Sequence, residues 1–257
     1  MVLPIKNNMK VEFCLPVYNE EKILAESCQK LYNFLLNQNF NFSWQIVIVI
    51  NGSSDQSPLI AQKLSLEFTE KINFENIIEL GRGQALKRYW LKSSADILVF
   101  MDIDLAVSLE AIPKLIEPIL NQEYQLVVGS RLLSSSQIKR SFIRELSSQT
   151  YNFLSRRLLG HHLSDMQCGF KAITKSAFIT IAPYLQDPNW FFDTEMIIIS
   201  LAAGYKAKEI PVNWQENRYD RRKSKVKLLR DSNRMFRNLI RLRRRLPNIS
   251  QAIKNTN

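Results

Sequence analysis

Apolar and polar positions change period repeatedly along the first half of the chain, and each change predicts an element. Residues 11–15, "VEFCL", form a short apolar run that reads as a first strand. Residues 20–37 then carry Ile23, Leu24, Leu31 and Leu35 at helical spacing. Residues 44–50, "WQIVIVI", are a continuous β-branched run, the pattern of a strand buried on both faces. The turn cluster "NGSSDQSP" closes it. A helix over 57–70, a third strand over 76–80 and a helix over 83–94 follow. A fourth strand over 96–101, a helix over 109–121 and a fifth strand over 125–130 come next. Apolar strands alternating with helices predict an α/β domain on a mostly parallel sheet flanked by helices on both faces.

The second half is less regular. Residues 140–160 read as an amphipathic helix with many basic positions, 165–173 lead into a strand, and 174–183 form a helix. Another helix starts near Asp193, and 206–212 form an edge-like strand that Pro211 ends. After a polar basic loop at 217–225, residues 226–246 form a basic helix with Leu228, Met235, Leu239, Leu242 and Leu246 near one stripe. Residues 247–257 read as a frayed end.

Charge changes the picture at this end. The net charge is +11, and residues 218–245 hold 13 Lys/Arg against 2 Asp, so this segment carries the equivalent of the whole excess. Such a segment seeks phosphate, in nucleic acid or at a membrane surface. No apolar run approaches the roughly 18–20 residues that span a bilayer. The N-terminus lacks the apolar centre and cleavage site of a signal peptide. Cys14, Cys28 and Cys168 follow no metal spacing and read as buried small hydrophobes in a reducing, cytoplasmic compartment.

The polar clusters fall at the predicted carboxyl ends of the strands, where such sheets bind ligands. "DID" places Asp102 and Asp104 after the fourth strand. At strand spacing both carboxylates face one site, and a hard divalent cation removes their repulsion. "GRGQALKR" offers Gly81 and Gly83 for close backbone approach to a ligand, with Arg82 and Lys87 adding charge at a helix N-terminus. "PVYNE" supplies Tyr18, Asn19 and Glu20, Asn19 being the expected cap of the first helix. "GSR" puts Arg131 at a strand end, and Arg144 follows on the next helix; guanidinium groups suit phosphate. His161 and His162 read as surface residues, and no Ser/His/Asp or Cys/His nucleophile system is in view.

In order, "LPVYNEE", "VINGSSD", "GRGQALK", "FMDIDL", "GSR", "DMQCGFKAI", "WFFDTE", "EIPVNW" and "SKV" resemble the motifs of family 2 glycosyltransferases over about residues 11–240. They are most similar to the dolichyl/polyprenyl-phosphate hexosyltransferases, and within these to the β-glucosyltransferase branch. The resemblance implies a GT-A, Rossmann-like fold and an inverting transfer of a hexose from a nucleotide sugar to a polyprenyl phosphate. UDP-glucose is the favoured donor and GDP-mannose the next. It places Pro16, Tyr18, Glu20 and Asn51 at the nucleotide, and Arg82, Gly83 and Lys87 along the ribose and diphosphate. Asp102 and Asp104 would hold Mg²⁺ or Mn²⁺. Arg131 and Arg144 would grip the acceptor phosphate. Gln167, Asp193 and Glu195 would shape the sugar pocket beside Trp190, and Ser224 and Lys225 would lie in a closing loop. The pattern departs at Ile50-Asn51, where many relatives have paired aspartates, and at Ala106, where mannosyltransferase relatives have a metal-binding glutamine.

Residues 1–217 are expected to form the catalytic domain and 218–257 a basic, acceptor-side element attached peripherally to the cytoplasmic membrane face. A family 2 enzyme acting on a lipid or glycan hydroxyl is the alternative, with Asp193 as its base. A nucleic-acid module using the basic segment is the remote one, and it leaves the rim motifs without a role, so no nucleic acid partner is expected.

Overall fold

The computed structural model describes residues 9–139, 142–215 and 228–256. Nine strands, β1 (Lys10–Val17), β2 (Ser43–Asn51), β3 (Ile72–Ile77), β4 (Ile97–Met101), β5 (Leu126–Ser130), β6 (Gln137–Lys139), β7 (Phe170–Thr174), β8 (Ala207–Pro211) and β9 (Asn213–Gln215), are described. With them come helices α1 (Leu24–Leu36), α2 (Ser57–Glu67), α3 (Arg82–Lys92), α4 (Ile112–Leu120), α5 (Phe142–Leu159), α6 (Lys175–Ile181), α7 (Phe192–Ala202) and α8 (Leu228–Thr256). A seven-stranded sheet runs in the order β3-β2-β1-β4-β7-β5-β8, and a two-stranded sheet pairs β6 with β9. All large-sheet pairs are parallel except those of β7, which runs antiparallel to both β4 and β5.

Side-chain alternation divides the core between the two faces. Val11, Phe13, Leu15, Ile46, Ile48 and Val99 meet α1, α2 and α4 on one face. Cys14, Val47, Val49, Leu98, Phe100 and Val128 meet α3, α6, α7 and α8 on the other. Each buried Leu or Ile contributes ~1.5–3 kcal/mol, so Leu24, Leu31 and Leu35 suffice to hold α1 on the sheet. All three cysteines are buried free thiols.

Four elements differ from the pattern reading. β3 begins at Ile72, earlier than the apolar run suggests. It is an edge strand whose Asn73, Glu75 and Asn76 need no burial, and Ile72 pairs with Ile46 in register. The β6–β9 pair escapes a periodicity search because each strand is three residues long. Most informative is α8, which runs through Pro247 to Thr256 where a frayed end was expected. Ile249 and Ile253 are buried in the same cluster as Leu239 and Leu242 and extend its apolar stripe by two turns. Proline removes one helical hydrogen bond; at Pro247 the would-be acceptor is the carbonyl of Arg243, an exposed residue open to water. Among the described residues no helix is long and apolar enough to cross a membrane.

Candidate active site

The carboxyl ends of β1, β2, β4 and β5 open on one rim, and the antiparallel β7 brings its beginning, Gly169-Phe170, to the same rim. β4 ends at Met101, so Asp102 and Asp104 stand in a tight turn beyond the strand rather than on it. The Leu105 amide donates to the Asp102 carbonyl at 3.0 Å, and Leu105 takes a left-handed φ of 48°. Asp104 Oδ1 accepts from the Ala106 amide at 3.2 Å. The Asp102 amide donates to the Gly169 carbonyl at 3.0 Å, and a Cβ at Gly169 would overlap the Asp102 carboxylate. That carboxylate is 38% exposed and faces the rim.

Arg82 opens α3 and reaches this carboxylate, Nη1 lying 3.3 Å from Asp102 Oδ1. Its Nη2 donates to Asp193 Oδ2. The guanidinium is sandwiched between Phe100 and Trp190, 4.7 and 4.2 Å from the ring centroids. Stacking of this kind adds about 0.5–2 kcal/mol and fixes the plane of the fork. Asp193 sits in the first turn of α7, where helix dipoles favour anions. Its Oδ1 lies 3.4 Å from Nζ of Lys171, a fully buried lysine of β7 that also donates to the Cys168 carbonyl. Lys171, Asp193, Arg82 and Asp102 thus form a chain of alternating charge from the sheet interior to the rim. Buried ion pairs are worth little unless fully hydrogen-bonded; here Arg82 Nε and Asp193 Oδ1 are buried without a hydrogen-bond partner among the described residues.

Arg131 follows β5 and is forked onto Asp165. Its Nε donates to Oδ2 at 2.7 Å and its Nη2 to Oδ1 at 3.0 Å, and the Arg131 amide adds a bond to Oδ2 at 3.1 Å. Burial alone would raise the Asp165 carboxyl, but the Arg131 charge and hydrogen bonds, with the Gln167 amide, outweigh it and hold it at about 2. The same pairing raises the Arg131 guanidinium against the opposing effect of its own burial. The segment 165–169 joins the site together: Asp165 on Arg131, Gln167 Nε2 on Thr194 Oγ1 at 2.9 Å, Cys168 on Lys171 and Gly169 on Asp102. Asp165 and Lys171 were given no role from sequence, although both stand in "DMQCGFKAI"; nothing local marks a buried aspartate as the partner of an arginine 34 positions away.

Other expected residues are engaged differently. Gly81 and Gly83 serve close packing within the protein. Gly81 has φ 147°, and a Cβ there would stand 2.7 Å from the Pro188 carbonyl oxygen, while one at Gly83 would overlap Phe192 of α7. Lys87 donates to the Leu185 carbonyl at 2.8 Å, and burial lowers its pKa. Glu195 accepts the Gln186 and Asp187 amides at 2.7 Å each and Arg245 Nη1 at 2.8 Å. Asn51 is buried and donates from Nδ2 to the Val17 carbonyl at 2.9 Å, bracing the rim loop after β1. Asn19 does not cap α1. Its Oδ1 accepts the Ser54 amide at 2.7 Å, tying the loop after β1 to the loop after β2. Pro16 and Glu20 are buried and Tyr18 is exposed at this end of β1. His161 is half-buried rather than a surface residue, its Nε2 lying 2.9 Å from Ser155 Oγ, while His162 is exposed. Arg144 lies on α5 with its side chain outside the described residues, as are Ser224 and Lys225 entirely.

Two hard carboxylates at a rim suit Mg²⁺ or Mn²⁺. A cavity of about 10 Å³ beside Asp102, lined by Ala106, Val107, Gly169 and Trp214, has room for one water where a longer side chain at 106 would reach. Among the described residues no cluster of three or more His, Cys, Asp or Glu could hold a metal ion.

Residues 12–182 match the family described as Glycosyl transferase family 2. Glycosyltransferase AglD of Haloferax volcanii is 33% identical over 227 residues, covering 87% of this chain and 35% of that protein. The dolichyl-phosphate beta-glucosyltransferase of Saccharomyces cerevisiae is 30% identical, covering 89% of this chain and 72% of that protein. The chain therefore spans about a third of the haloarchaeal relative and under three quarters of the yeast one. Among solved structures, glucosyl-3-phosphoglycerate synthase from Mycobacterium tuberculosis, in complex with Mn²⁺, UDP-glucose and glycerol 3-phosphate, superposes with a TM-score of 0.59 at 19% identity. That match covers 90% of this chain and 78% of that one, and the shared architecture is the GT-A fold.

Proposed function

Since the chain belongs to glycosyl transferase family 2, we propose that it transfers a hexose, glucose before others, from a nucleotide sugar to a polyprenyl phosphate with inversion at the anomeric carbon. UDP-glucose is the first donor to consider and GDP-mannose the second. The carrying observation is one rim that holds both the Arg82–Asp102 pair and the Arg131–Asp165 fork, joined by the segment 165–169. One end of that rim suits a diphosphate and the other a phosphate monoester.

Asp102 and Asp104 would hold Mg²⁺ or Mn²⁺, whose chemistry is to neutralise charge on the departing diphosphate. Arg82 and the α3 N-terminus present further positive charge to the same group. Arg131, with its fork set by Asp165, orients the acceptor phosphate. A phosphate monoester has a second pKa near 6 and is already a nucleophilic anion at pH 7, so no general base is required. Asp193 is 1% exposed and its oxygens face Arg82 and Lys171, a poor position from which to take a proton from a hydroxyl acceptor. That placement supports the phosphate acceptor over the hydroxyl one.

The segment from 218 onward is the acceptor-side element of this proposal. On α8, Arg237, Arg241, Arg243 and Arg244 are exposed while the apolar stripe is buried on the domain. The exposed arginines suit an anionic cytoplasmic leaflet, at ~1 kcal/mol each. The test presents a short polyprenyl phosphate in anionic liposomes, with Mg²⁺ or Mn²⁺ and a panel of nucleotide sugars, and follows both transfer and co-sedimentation at low salt. Expected are β-glucosyl product from UDP-glucose, its loss in Asp104→Ala, and protein in the pellet. No transfer from any donor, with nucleotide binding unchanged in Asp104→Ala, would overturn the proposal.

A further inference from the structure

We propose that α8 is a working part of the donor site, with Arg245 and Asn238 as positioning residues for the loop that lays Trp190 on Arg82. The inference rests on the reading that Arg82 and Trp190 border the donor.

The loop 185–191 has no regular structure, and two carboxylates organise it. Asp187 Oδ1 accepts the Asn189 and Phe191 amides at 2.8 and 3.2 Å. Glu195 Oε2 accepts the Gln186 and Asp187 amides. The second oxygen of each carboxylate is bound by α8. Asn238 Nδ2 donates to Asp187 Oδ2 at 2.9 Å, and Arg245 Nη1 donates to Glu195 Oε1 at 2.8 Å. Arg245 Nη2 also donates to the Tyr184 carbonyl at 2.6 Å, at the start of the loop. Positions 238 and 245 are two turns apart and share one helix face, so the helix holds the loop at Asp187 and, through Tyr184 and Glu195, at its start.

The opposite side of the loop is the donor side. The Gln84 amide donates to the Pro188 carbonyl at 3.1 Å, Gly81 packs on Pro188, and Trp190 stacks on Arg82. A continuous path of hydrogen bonds and contacts therefore runs from α8 through two carboxylates and one loop to the guanidinium on Asp102. It also separates the arginines of α8 by role. Arg245, 26% exposed in its side chain, turns inward and binds two acceptors with one planar fork, which a lysine does less well. Arg241, Arg243 and Arg244 face solvent.

The experiment measures UDP-glucose binding with Mg²⁺ by calorimetry, together with KM, kcat and Tm, on the full chain and on Arg245→Met, Arg245→Lys and Asn238→Ala. The expected result is a donor Kd and KM raised about tenfold in Arg245→Met, with kcat within about twofold. Arg245→Lys should recover part of the loss, and Asn238→Ala should raise Kd about threefold. Asn238→Ala removes one neutral bond and keeps the test decisive if Arg245→Met fails to fold. Wild-type Kd and KM in the folded variants, with only Tm lowered, would overturn this inference and leave the donor reading standing. A wild-type chain that binds no nucleotide sugar would overturn both.

Discussion

Asp165→Asn should cost the fold about 3 kcal/mol, and the reason lies in how its four bonds are shared. Oδ2 takes the Arg131 amide and Nε; Oδ1 takes Arg131 Nη2 and the Gln167 amide. An asparagine keeps one oxygen, and either rotamer turns an NH₂ group toward two donors. Two bonds are lost, and Arg131, 12% exposed, loses its counter-charge. Breaking a buried pair from one side costs ~3–5 kcal/mol. Linkage gives a value of the same order. The carboxyl lies at about 2 in the fold against an ordinary 3.8, and that gap at 1.36 kcal/mol per unit is roughly 2 kcal/mol. The folded value is the lower one, so this stabilisation is fully present above pH 3.8 and is lost as pH falls toward about 2. Urea titration at pH 7 should show a loss of roughly 2–4 kcal/mol, with Tm lower by about 5–12 °C for a chain of this size. The gap between wild type and variant should narrow at pH 3. A loss under about 1 kcal/mol at pH 7, or an equal gap at both pH values, would refute the assignment of Arg131's anchor to this carboxylate.

Gly169→Ala should cut transfer at least ~100-fold while circular dichroism stays native, because the added methyl overlaps the Asp102 carboxylate and displaces it by ångströms, and small misplacements at a reacting centre cost about that much; wild-type kcat would show that Asp102 has room to adapt. His161 should titrate near 4, since burial, then the charges of Arg156 and His162, lower it. The fold favours the neutral ring, so its contribution is present above the ordinary 6.5 and lost as pH falls toward about 4; an NMR midpoint above 6 would contradict this.

Much of the scaffold is legible in the sequence because it depends on neighbours along the chain. The run "WQIVIVI" needs both sheet faces covered whatever lies elsewhere, and the stripe Leu24–Leu31–Leu35 fits a helix alone. Both hold in the structure, as does the clustering of "DID", "GSR" and "GRG" at one rim, since β4, β5 and β3, which precede them, run in the same direction. Edge and very short strands, β3, β6 and β9, were harder because pairing rather than periodicity makes them.

The site divides along the same line. Residue types and order placed Asp102, Arg82 and Arg131 at the rim, and the ordered motifs identified the family. Which charge meets which was decided only in three dimensions. Arg82 finds Asp193 across 111 positions, Arg131 finds Asp165 across 34, and Arg245 finds Glu195 across 50. Local sequence sets the period of a helix or strand, but a carboxylate's partner is whichever cation the packed layers bring within about 3 Å. For that reason Glu195 is paired with Arg245 of α8, Gly83 packs on Phe192 where α3 meets α7, and the last two turns of α8 join the core.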